Sequence, residues 1–80
     1  MRSRQTELLP SDLNGWTLLG AAFQQQRRWQ EAEAAYRRAV ALDSGDARAW
    51  LNLANLMATV GRLGEALHGY RQAVRAEPNF

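Results

Sequence analysis

Eighty residues carry ten basic side chains, all of them Arg, against eight acids and one His, for a net charge of +2. A chain this short holds one small domain, which buries only about 60–65% of the surface that its unfolded form exposes. Hydrophobic residues at 46% and charged residues at 22% exclude a disordered polar segment, and with no Cys there is neither a disulfide framework nor a cysteine-held zinc.

Residues 1–12, "MRSRQTELLPSD", lack the apolar stretch of a secretory leader, and no run in the chain approaches the ~20 residues that cross a bilayer. We read this segment as a lead-in, partly disordered, and the compartment by default as the cytoplasm. From residue 13 the chain becomes periodic. Trp16, Leu19, Gly20 and Phe23 fall at i, i+3, i+4 and i+7, one face of a helix expected over about 12–26. Ala32, Tyr36, Ala39 and Val40 mark a second helix over about 29–42, and Glu33 stands one turn before Arg37, spaced to pair with it. The stretch "LDSGD" then breaks the pattern: Gly45 suits a left-handed turn and Asp46 can cap the next helix.

The same sentence is then written again. Trp50, Leu53, Ala54 and Met57 repeat the first face over about 47–60, and Ala66, Tyr70, Ala73 and Val74 repeat the second over about 63–76, with Gly61-Arg62-Leu63-Gly64 between them and Pro78 past the end. Nine of 34 positions are identical between 13–46 and 47–80. Each unit is a helical hairpin. One hairpin cannot bury its own apolar face, so the second covers the first. The small residues Gly20, Ala32, Ala54 and Ala66 allow close helix approach, while Trp16, Tyr36, Trp50 and Tyr70 fill the adjoining space.

These residues resemble the tetratricopeptide repeat, whose pattern is W-x2-L-G-x2-Y, then A-x3-F, then P on a 34-residue period. Here it reads Trp16-x2-Leu19-Gly20-x2-Phe23 and Ala32-x3-Tyr36, then Trp50-x2-Leu53-Ala54-x2-Met57, Ala66-x3-Tyr70 and Pro78. The chain departs from the pattern at Arg27 and Ser44, both in turns. The resemblance implies an all-α fold: two antiparallel helix-turn-helix hairpins stacked as a short right-handed superhelix, forming one domain over 13–80 with repeats at 13–46 and 47–80.

Catalysis finds no constellation. His68 is alone on the outer helix of the second hairpin and reads as solvent-facing; no carboxylate pair gives it metal-ligand company, and Ser3, Ser11 and Ser44 lack a nucleophile elbow. There is no phosphate-cradling loop. We expect no enzyme, no catalytic residue, no metal and no cofactor. The arginines, Arg27-Arg28 and Arg37-Arg38 among them, have acids close by at Glu31 and Glu33 and read as solvated helix faces rather than the dense stripe of a nucleic-acid binder.

The face left over is the one opposite the Trp stripe. The resemblance implies that the first helix of each hairpin lines a concave groove for an extended peptide or a partner helix, so the candidate binding residues are Asn14, Leu18, Ala21 and Gln25, then Arg48, Asn52, Asn55 and Thr59. An amide both donates and accepts, so Asn52 and Asn55 could pair with a peptide backbone whatever its sequence. "AWLNLAN" also resembles the repeats of O-GlcNAc transferases, in which an Asn matching Asn52 recurs as a ladder; Leu18 holds that place in the first unit. Thr17 and Ala21 stand where a charged carboxylate clamp would begin. The expected function is a protein-interaction module with a peptide or protein partner and no membrane. The alternatives are a structural or scaffolding unit of a longer array or multidomain protein, O-GlcNAc-transferase-like by the resemblance above, or an Arg-rich surface for nucleic acid. After Val74 the chain continues only as "RAEPNF". An apolar face around Leu53, Leu56, Val60, Tyr70 and Val74 is therefore expected to stay open, with Phe80 a partial lid, and to drive self-association as a two-fold dimer or to be covered in a longer array.

Overall fold

The computed structural model describes residues 12–79, and the expectations for the lead-in before Asp12 and for Phe80 lie outside them. Four helices follow in order: α1 (Leu13–Gln25), α2 (Trp29–Leu42), α3 (Ala47–Thr59) and α4 (Leu63–Ala76). Each bound falls within one residue of the periodic reading. Helices α1 and α2 form one hairpin, α3 and α4 the other, and α3 packs against α2 to join them.

The helix ends show why the breaks fall where they do. Asp12 Oδ1 accepts from the Gly15 N–H at 2.8 Å and Asp46 Oδ1 from the Arg48 N–H at 2.9 Å, each satisfying one of the orphan donors of a first turn. At the other end of α1 and α3 the chain turns through a left-handed residue: Gly61 at φ 86° and, one period earlier, Arg27 at φ 62°. In both turns the next N–H reaches back to close the helix, Arg28 to the Phe23 carbonyl at 2.9 Å and Arg62 to that of Met57 at 2.8 Å. Where the second hairpin turns through a glycine, the first thus turns through an Arg that adopts the same left-handed conformation.

Buried Ala32, Tyr36, Leu53, Leu56, Met57 and Ala66 make the core, with Phe23, Trp29, Trp50, Val60 and Tyr70 half-buried around it. Trp16 is half-buried too, beneath the Arg38 guanidinium at 5.2 Å from the ring centre. Tyr36 is the most enclosed of the repeated aromatics; its hydroxyl donates to Gln24 Oε1 at 3.0 Å, and burial raises its ionisation above the ordinary tyrosine value. A Cβ placed on Gly20 would stand 2.6 Å from Tyr36 Cε1, so the ring occupies the space that glycine leaves. In the second hairpin the tightest approach is at Gly69, whose added Cβ would lie 2.8 Å from the Cβ of Ala54.

The expected open apolar face needs correction. Leu53 and Leu56 are buried, not open to water, because α2 covers that side of α3. Val60 and Tyr70 are half-buried, and of the expected face only Val74 is exposed, at 58%; Leu63 and Leu67 of α4, at 67% and 50%, lie open beside it.

Candidate functional site

The first turns of α1 and α3 lie side by side and enclose a shallow hollow of about 460 Å³. From α1 come Leu13, Asn14, Thr17 and Leu18, and from α3 with its cap come Asp46, Arg48, Ala49 and Asn52. Packing of α3 on α2 stacks the second hairpin on the first, so that Asn14 and Leu18 of α1 face the same space as their equivalents Arg48 and Asn52 of α3. Of the eight residues expected to line a groove, four meet here: Asn14, Leu18, Arg48 and Asn52. Ala21 and Gln25 are exposed further along α1, and Asn55 and Thr59 further along α3.

The chemistry of the hollow is mixed. Leu18 is 70% exposed, an apolar side chain held in water by a helix whose buried face points elsewhere. Asn52 is half-buried, while Asn14 and Arg48 are exposed. Thr17 Oγ1 donates to the Leu13 carbonyl at 3.0 Å, so the donors open to a ligand come from the two Asn amides and the Arg48 guanidinium, while the Asp46 carboxylate, whose Oδ1 holds the cap, adds an acceptor at the edge of the hollow. Beyond the hollow, Asn55 Oδ1 accepts from the Tyr70 hydroxyl at 2.6 Å and Thr59 Oγ1 donates to the Asn55 carbonyl at 2.9 Å, which ties both to their own hairpin. Thr17 was absent from the expected set, although it lies three residues after Asn14 and so on the same side of the helix. Leu13 and Ala49 carry no sequence signal of their own beyond adjacency to the caps, and Asp46 is legible only as the cap of α3.

The opposite side is charged. Arg37 pairs with Glu33 at 2.8 Å and with Glu65 at 3.0 Å, while Arg62 pairs with Glu33 and with Glu65, each at 2.7 Å, which closes a four-member ring between α2 and the start of α4. Partial burial works to raise the Glu33 carboxyl, but hydrogen bonds and charge from Arg37 and Arg62 outweigh it and hold it below its ordinary value. The same partners, Glu65 foremost and then Glu33, push Arg62 further up. His68 is exposed, its ring edge-on to Trp50 at 5.7 Å between centres. Among the described residues no three His, Cys, Asp or Glu gather as metal ligands, and no helix is long and apolar enough to cross a membrane.

A family model described as tetratricopeptide repeat matches residues 23–80, which takes in α2, α3 and α4. No curated protein matches the chain.

Proposed function

The chain belongs to the tetratricopeptide repeat family, whose repeats generally mediate protein–protein interaction, and on that premise we propose that residues 13–80 act as a two-repeat module holding an extended peptide segment between α1 and α3. The observation that carries this reading is the 460 Å³ hollow, where two amides and a guanidinium surround the exposed Leu18. Asn52 pairs with the peptide backbone, as an amide can through its donor and acceptor together. Leu18 takes an apolar side chain of the peptide, and Arg48 favours a carbonyl or carboxylate beside it. Binding by such a surface involves no bond-making step, and the module acts as an adaptor rather than a catalyst.

Panning a random peptide display library against the full chain tests this. The peptides selected should lose about tenfold or more in affinity when Leu18→Glu and Asn52→Ala are combined. Peptides that bind the double variant as tightly as the wild type would place the binding surface elsewhere.

A further inference from the structure

Four side chains on the outer face of α4, Leu63, Leu67, Tyr70 and Val74, form one stripe at i, i+4, i+7 and i+11. Their equivalents one period earlier are Trp29, Glu33, Tyr36 and Val40 on α2. That earlier face is an interior one: α3 packs over it, with Leu56 and Met57 buried there and Trp29 and Val40 half-buried against the core. The outer face of α4 therefore has the geometry of a helix-docking surface, and among the described residues no helix covers it.

We propose that this face pairs with itself, so that two copies of the chain join by antiparallel packing of α4 on α4 about a two-fold axis. Three observations select a second copy in this arrangement. The stripe is symmetric in its own spacing, 4-3-4, so an antiparallel neighbour sets Leu63 against Val74 of the partner subunit and Leu67 against Tyr70 of the partner subunit, an isologous contact. Next, the stripe departs from its internal template at one place: Glu33, which receives Arg62 of the following unit at 2.7 Å, is replaced by Leu67, so the face is apolar where a further unit like this one would need an acid. Last, α1 is a poor substitute for α3 as an occupant, since it carries Ala22 and Gln26 where α3 carries Leu56 and Val60, which disfavours head-to-tail stacking of copies.

Charge is compatible with this direction. Arg71 and Arg75 border the stripe, both exposed. The antiparallel register offsets the two Arg71 side chains by about five residues of rise, roughly 7 Å along the axis, and the two Arg75 side chains by more. A 14-residue helix is a small interface. Pairing should accordingly be weak, with a dissociation constant on the order of 100 µM.

Sedimentation equilibrium on the full chain from about 10 µM to about 1 mM should show a monomer–dimer transition, and Leu67→Glu should raise the dissociation constant about tenfold or more while leaving the helical circular dichroism unchanged. Leu18→Glu, in the groove, should leave self-pairing intact. The register has its own readout, because with no native Cys every introduced thiol is unique. A mixture of Leu63→Cys and Val74→Cys chains should cross-link faster than Leu63→Cys alone. A monomer at every concentration would overturn the proposal. So would dimerisation that survives Leu67→Glu, association lost with Ala22→Glu instead, or faster cross-linking of Leu63→Cys to itself.

Discussion

Arg62, at the start of α4, donates to Glu33 on α2 at 2.7 Å, although the two helices do not pack against each other. Long side chains thus bridge a gap that α3 leaves between the outer helices, and Glu33, with its side chain 20% exposed, is the most enclosed member of the ring. Its carboxyl is held below the ordinary value, so the stabilisation it supplies is complete above the unfolded-state value and is lost as pH falls through the folded-state one. Glu33→Gln should cost about 1 kcal/mol near pH 7, and that difference should begin to shrink as pH falls past the free-glutamate value of about 4.3 and vanish below the lowered folded-state value. Urea titrations of both proteins across this range check it, and a difference that grows as pH falls would contradict the sign.

The second hairpin places glycine where the first has alanine, and the reverse. Gly69 faces Ala54, while one period earlier Ala35 and Gly20 hold those places, so the small partner has moved from one helix to the other. Gly69→Ala improves helix propensity by up to about 1 kcal/mol, but its Cβ would sit 2.8 Å from Ala54 Cβ and 3.3 Å from its Cα, atoms that cannot swing aside. The net change should be a destabilisation of about 1–2 kcal/mol. Adding Ala54→Gly should recover most of it by rebuilding the first hairpin's arrangement. Thermal melts of the two single variants and the pair make a double-mutant cycle whose coupling should be clearly favourable.

Arg27 and Gly61 occupy one turn position with φ of 62° and 86°. The left-handed conformation costs a residue with a Cβ about 1–2 kcal/mol and glycine almost nothing. Gly61→Ala should therefore lower stability by about 1 kcal/mol, and Arg27→Gly should raise it by about 0.5–1 kcal/mol after the greater freedom of glycine in the unfolded chain is counted. Denaturant midpoints should move in opposite directions for the two substitutions. Arg27 is exposed, so no buried contact is lost with its side chain.

What could be read from the residues was whatever local spacing controls. The Trp16 and Trp50 faces, the Ala32 and Ala66 series and the Asp46 cap act within a few turns of one helix, and the four helices lie where that spacing put them. Glu33 with Arg37 was legible for the same reason, being one turn apart. Arg62 and Glu65 were not, since their meeting with α2 depends on how the second hairpin sits on the first. The same missing information misplaced Leu53 and Leu56. A 3.6-residue period shows that a helix has an apolar side, but not that the preceding hairpin covers it. Asn55 shared the groove face on a helical wheel, yet the Tyr70 hydroxyl of the neighbouring helix claims its oxygen at 2.6 Å.

If the hollow is the binding surface proposed above, its equivalent positions Leu18 and Asn52 should each leave their own trace on binding. Leu18 is 70% exposed, so Leu18→Ala removes almost no buried area and should change stability by less than about 0.5 kcal/mol. Toward a peptide with a bulky apolar side chain it removes a contact equivalent to about two methylene groups, about 1–1.5 kcal/mol or roughly five- to tenfold in affinity. Asn52→Ala should weaken apolar and polar peptides alike by a similar factor, because a backbone hydrogen bond is indifferent to the side chain that follows it. Fluorescence polarisation with two labelled peptides, one carrying Leu and the other Ser at the same position, separates the roles. Leu18→Ala should narrow the difference between the two peptides, and Asn52→Ala should preserve it. If Leu18→Ala instead lowered the melting temperature and left both affinities unchanged, Leu18 would be a packing residue and the hollow would not be the binding surface.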